Sequence, residues 1–216
     1  MKKFIKIPVL FFLSIFLNSC TTVDLVSSWK NPDVDTLTVA KVLIIGMTPN
    51  VEARKQFEEM VKEEYTARGV EAVMSLELLD PNFMFDDKPS KQIKIIENIL
   101  TSNFYDAILF TKVKGVEDRI VYNENFDSKE YLDVKFKDDY NKHEKILNDP
   151  KYYDKYKVYH VETSLYCICP TKDRELVWKG SINIIDPTSI EETVNDYVNV
   201  LLLALEEQYL VPEQIN

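Results

Sequence analysis

Apolar and polar positions alternate along this chain in blocks whose periods name the elements. Residues 38–47, "TVAKVLIIGM", form a short apolar run rich in β-branched side chains and ending at Gly46, which suits a strand buried on both faces. Pro49 stands where a helix can begin, and Ala53, Phe57, Met60, Val61 and Tyr65 recur at helical spacing until Gly69, a plausible C′ glycine. "VEAVMS" at 70–75 predicts a second strand. A loop with Pro and Asp over 80–90 then leads to a helix with Ile93, Ile96, Ile99 and Leu100 on one stripe. "YDAILFTKVKG" at 105–115 predicts a third strand. Strand, helix, strand, helix, strand is the signature of parallel strands joined by right-handed crossovers.

Residues 116–157 break that rhythm. They are charged with both signs and carry six of the twelve tyrosines, with Phe136, Tyr140, His143 and Leu147 at helical spacing. A connection this long inside a compact domain is usually functional or mobile. "VYHVETSLYCIC" (158–169) and "ELVWKGSINII" (175–185) follow as an antiparallel hairpin turning over Pro170 to Arg174. The last element opens on Ser189 with Glu192 three residues later, a capping box, and its stripe of Val194, Tyr197, Val198, Leu201 and Leu205 stops before Pro212. The predicted class is α/β: a mixed sheet of about five strands, three of them parallel in β-α-β units, then the hairpin, with a long C-terminal helix packed on it. Residues 38–211 are expected to be a single domain with the tyrosine-rich segment as an insert.

The amino terminus changes the picture. Lys2, Lys3 and Lys6 precede an apolar stretch from Ile7 to Leu17, so residues 1–19 read as a cleaved signal peptide. As a helix those eleven residues, broken only by Pro8 and Ser14, rise about 16 Å, roughly half of the ~30 Å hydrocarbon core, which argues against a permanent span. The formal charge of −10 becomes −13 once the three lysines of the leader are removed, which is repulsive toward nucleic acid and anionic lipid. Residues 20–37 read as a polar tether, with Trp29 expected to dock on the domain.

"LNSC" at 17–20 resembles the lipobox of bacterial lipoproteins, with Leu17 three residues before the cysteine and Ser19 immediately before it. The resemblance implies that Cys20 receives a diacylglyceryl group, is acylated (palmitate-type chains) after cleavage, and anchors the protein in a membrane. One acyl chain holds marginally, whereas two or three hold stably. Thr21 and Thr22 lack the aspartate of the best-known inner-membrane retention rule, so the resemblance points to the outer membrane and a domain facing the periplasm.

Candidate chemistry is sparse. The four glycines, Gly46, Gly69, Gly115 and Gly180, are scattered, so neither a dinucleotide fingerprint nor a P-loop can be built from them. No H-E-x-x-H, G-x-S-x-G or C-x-x-C occurs, and "NENFDSKE" (123–130) has Ser128 and Lys129 where a calcium loop needs glycine and a ligand. Acidic pairs such as Asp138-Asp139 read as solvated surface. Strand alternation puts Cys167 and Cys169 on an apolar face, opposite His160; at about 6 to 7 Å apart on a regular strand they are expected to be buried thiols rather than a disulfide or a metal site. No catalytic residue, metal or cofactor is expected, and an enzyme is the less favoured reading.

Tyr122, Tyr131, Tyr140, Tyr152, Tyr153 and Tyr156 can form a platform for a protein or glycan, or can cover a sheet edge. "VETSLYCICPTKDRELVWKGS" (161–181), with Trp29 and "YDAILFT" (105–111), resembles small uncharacterised lipoproteins of Bacteroidetes-like bacteria. The layout is more remotely similar to the periplasmic α/β domains of penicillin-binding-protein activator lipoproteins, the amino-terminal domain of the Tol-system propeller protein and curli-export lipoproteins. That similarity implies a non-enzymatic domain that binds a protein or an envelope polymer. The competing expectation is a periplasmic small-ligand carrier or enzyme with its site at the carboxyl ends of the parallel strands, near Thr48 and Thr111; a purely structural assembly subunit is the third.

Overall fold

A computed structural model describes residues 22–79, 89–122, 135–149, 153–168 and 175–214. The chain runs β1 (Val23–Lys30), β2 (Lys41–Met47), α1 (Val51–Ala67), β3 (Glu71–Met74), α2 (Ser75–Leu78), α3 (Pro89–Ser102), β4 (Ala107–Tyr122), α4 (Phe136–Leu147), β5 (Tyr153–Cys167), β6 (Leu176–Ile185) and α5 (Ile190–Glu206). The strands form one mixed sheet in the order β1-β6-β5-β4-β2-β3. β2 is parallel to β3 and β4; the other pairs are antiparallel.

Local chemistry sets the ends of these elements. The Asn50 side chain accepts the Ala53 N–H at 3.1 Å and starts α1. Gly69, at φ 78°, ends it: the Gly69 N–H reaches Thr66 O at 2.9 Å and the Val70 N–H reaches Tyr65 O at 3.0 Å, the double closure of a Schellman turn. α5 begins at Ser189, whose hydroxyl accepts the Glu192 N–H at 3.1 Å. Asp106 aligns the parallel strands, because its Oδ2 accepts the backbone N–H of both Ala40 and Lys41 at 2.9 Å.

The sheet divides the core in two. On one face α1 and α5 lie side by side over Val42, Ile44, Leu109, Val161, Leu165, Trp178 and Ile182. On the other, Ile96, Ile99 and Leu100 of α3 cover Leu43 and Ile45. β2, covered on both faces, is therefore apolar from Val42 onward.

Four expectations are corrected. The sheet has six strands rather than five, and the sixth, β1, comes from the segment read as a tether: residues 23–30 pair with β6, and Val23 is buried. β1 is an edge strand with most of one face in water, so its polar composition hides its state. Trp29 does not dock; it stays 48% exposed. The insert is shorter than 116–157, because β4 and β5 remain paired from Val116↔Tyr159 out to Tyr122↔Tyr153. Finally, Cys167 is disulfide-bonded rather than a free buried thiol. Its partner lies outside the described residues, which exclude both Cys20 and Cys169. The spacing argument assumed a regular strand through Cys169, whereas β5 stops at Cys167.

Candidate functional site: a cleft at the ends of the parallel strands

Where β2 runs out at Met47, the amino termini of α1 and α5 approach the sheet and leave an open cleft of about 340 Å³. Thr48 and Thr111 both line it, so the structure brings together the two residues that strand order had marked. The walls are mostly apolar: Phe57, Val113, Tyr159, Val161, Ile184 and Val194. Among its described lining residues the only charged side chain is Arg54, and there is no carboxylate.

Gly46 lets α1 come this close. A Cβ there would stand 3.2 Å from the Phe57 ring and 3.3 Å from Arg54 Cγ. Its N–H donates to Glu58 Oε1 at 2.9 Å. The same oxygen accepts Arg54 Nε at 3.1 Å and the Ser75 hydroxyl at 2.6 Å, while Oε2 accepts the Leu76 N–H at 3.0 Å and Arg54 Nη2 donates to Ser75 Oγ at 2.9 Å. A buried ion pair of this kind is tolerated because its lone pairs are filled. Its role is to clamp α1 to the ends of β2 and β3, which holds one wall of the cleft.

The floor carries a chain of hydroxyls. Thr111 and Thr163 lie 2.6 Å apart across β4 and β5, and Thr163 lies 2.7 Å from the Tyr197 hydroxyl. Burial pushes the Tyr197 phenol well above its ordinary range despite the hydroxyl contacts, so it stays protonated. Tyr197 also interacts with Thr111, so the three hydroxyls form one cluster at the floor of the cleft. The Tyr197 ring meets Phe57 edge-on, with centroids 5.9 Å apart. This arrangement can orient a polar atom within apolar walls. It offers no paired acid and base.

The predicted tyrosines do not gather into one platform. Tyr140 lies on α4, its ring 6.1 Å from Phe136. Tyr153 and Tyr156 are three residues apart on β5 and so point to opposite faces. Tyr131, Tyr152 and Cys20 lie outside the described residues, and Tyr122 is described only as the backbone partner of Tyr153. His160 contacts Asn183 Oδ1 at 2.8 Å and Glu117 at 3.3 Å. Among the described residues no group of three or more His, Cys, Asp or Glu side chains is placed to hold a metal.

A second polar cluster lies on the other sheet face, beyond the reach of α3. Glu162 sits among Lys112, Lys114 and Lys179 at 2.8, 3.3 and 3.6 Å. The Lys112 ammonium, with help from Lys114 and Lys179, lowers its carboxyl to about 2 against the opposing effect of burial.

Sequence reasoning missed most of the cleft walls. Tyr197 was legible as a core position of the last helix and Ser189 as its cap, but the signal that both face a cavity is the packing of α5 beside α1, which no local pattern carries.

No protein-family model matches the chain, and no curated protein matches it. Among solved structures, it is similar to a PelC dodecamer from Paraburkholderia phytofirmans at 11% identity, over 88% of this chain and 97% of that one, with a TM-score of 0.40. It is similar to lipoprotein GNA1162 from Neisseria meningitidis at 13% identity, over 78% of this chain and 99% of that one, TM-score 0.42. A PDZ domain protein from Parabacteroides distasonis matches at 10% identity over 87% of this chain and 36% of that one, TM-score 0.40. Among the described residues no helix is long and apolar enough to cross a membrane.

Proposed function

We propose that this is a lipid-anchored protein of the bacterial cell envelope whose α/β domain holds a small, mainly apolar molecule in the cleft between α1, α5 and the ends of β2 and β4. The anchor rests on the "LNSC" stretch ending at Cys20, with Thr21 and Thr22 favouring the periplasmic face of the outer membrane. The binding reading rests on one observation: an open cleft of about 340 Å³, within the size range of small-molecule sites, with apolar walls and a hydroxyl chain on its floor. Its described lining residues include no carboxylate to act as acid or base, which favours carrying or sensing a ligand over transforming one. The bound molecule is apolar over most of its surface and presents a polar atom to the hydroxyls of Thr111 and Tyr197. A protein-binding platform built from the tyrosines draws less support, since Tyr153 and Tyr156 face opposite ways.

The test is extraction of the protein purified from cells, with mass spectrometry of what is released. Val113→Trp, which fills the cleft from β4, should remove the extracted molecule while leaving the far-UV spectrum unchanged. Identical extracts from both proteins would refute the cleft as the binding site.

A further inference from the structure

β1 begins almost at the expected anchor. Thr22 is already tied to the sheet, its carbonyl accepting the Ile185 N–H at 2.6 Å. Only Cys20 and Thr21 therefore separate the lipid from the domain, a reach of about 7 Å. The strand register fixes what else lies at this level: Val23 pairs with Ile184, Ile184 with Tyr159, and Tyr159 with Val116. From that row β1 runs away from the anchor, whereas the β4–β5 hairpin continues past it in the opposite direction to Tyr122↔Tyr153. Six residues of strand extend about 20 Å, roughly three times the slack in the tether.

The arm carries exposed apolar side chains among its charged ones. Ile120 and Val121 are exposed on β4. Six residues before Tyr153, α4 ends at Leu147; no residue of this helix is buried, and Phe136, Tyr140 and Leu147 are exposed by 82, 59 and 60%. Spaced by four and seven, the three lie on one stripe. The other positions carry three lysines against three carboxylates, so α4 is amphipathic and neutral.

We infer that the β4–β5 arm and α4 rest on the phospholipid bilayer that holds Cys20, with Phe136, Tyr140 and Leu147 in the interfacial layer. This rests on the lipid-anchor reading above. Apolar burial at the interface, not charge, provides the attraction, and the α4 lysines can keep their ammonium groups in water while their stems lie along the surface. The cleft follows from the same geometry: Tyr159 and Ile184 line it and stand in the Val23 row, so it lies at the membrane end of the domain.

The experiment uses the full-length lipidated protein in phosphatidylcholine–phosphatidylethanolamine vesicles, with and without brominated acyl chains. Phe136→Trp adds a reporter at an exposed position, and the two native tryptophans, Trp29 six residues along β1 from Val23 and the buried Trp178, are the internal comparison. Flotation with the vesicles and roughly halved emission of the added tryptophan by bromolipid, with native emission unchanged, is the expected result. Flotation without quenching would overturn the placement of the arm while leaving the anchor intact. Loss of flotation, together with no palmitate label on the protein, would overturn the anchor and the placement with it. A photo-crosslinker at Tyr140 should give lipid adducts; adducts with another protein or a second copy would overturn the bilayer as the occupant.

Discussion

Arg54 and Glu58 stand one turn apart in α1, Nε to Oε1 3.1 Å, with 2% and 0% of their side chains exposed. Removing Glu58 takes the carboxylate from the buried Arg54 and leaves the Gly46 and Leu76 N–H groups and the Ser75 hydroxyl without their acceptor. Glu58→Ala is expected to cost about 3 to 5 kcal/mol and to lower the melting temperature by on the order of 10 °C. The paired replacement Arg54→Met with Glu58→Leu should cost less than Glu58→Ala alone, because apolar side chains refill the volume and the buried cation goes with its carboxylate. Thermal melts of the three variants decide this, and equal losses would show that the pair is not coupled.

Glu162 links stability to acid. Its folded carboxyl sits at about 2, below the ordinary 4.5, so the native state binds fewer protons than the unfolded chain in this window. The contribution is present above about pH 4.5 and is lost as pH falls toward 2. Urea midpoints measured from pH 6 to pH 3 should fall more steeply for the wild type than for Glu162→Gln. Parallel curves would mean that the three lysines do not hold the carboxylate.

Gly180 makes room for Trp178. A Cβ at position 180 would lie 2.2 Å from Trp178 Cη2, and the indole is wholly buried. Gly180→Ala is therefore expected to cost about 1 to 3 kcal/mol and to shift the near-UV signal of the tryptophan. Unchanged stability would show that β6 can shift to accept a methyl group.

Cys167 is in a disulfide, and the chain holds two other cysteines, Cys20 and Cys169. Under the proposed acylation of Cys20, Cys169 is the expected partner. Peptide mapping without reduction should find Cys167 and Cys169 joined and Cys20 carrying lipid. A bond from Cys167 to Cys20 would contradict the anchor itself. An oxidising compartment such as the periplasm sustains a bond of this kind.

Much of the architecture was written locally. The apolar run around Ile44 and Ile45, the helical stripe ending at Gly69 and the capping box at Ser189 each name their element through short-range backbone and solvent preferences. Thr48 and Thr111 were legible for a related reason, since parallel strands place their carboxyl ends together. β1 was not legible, because an edge strand exposes most of its side chains and satisfies its backbone only through a distant partner, β6. Nor was the continuation of β4 and β5, whose charged residues read as loop until cross-strand pairing holds them extended.

By itself the sequence determined the succession of strands and helices and the sparseness of recognisable catalytic motifs, and it carries the "LNSC" stretch on which the proposed anchor rests. Tertiary structure alone decided that residues 23–30 belong to the sheet, that α1 and α5 leave a cleft between them, and that the hairpin arm projects from the end of the sheet where β1 begins. The physical reason is range. Caps, turns and periodicity act over a few residues, whereas cavities and the direction of an arm depend on register between segments more than a hundred residues apart, such as Val23 and Ile184.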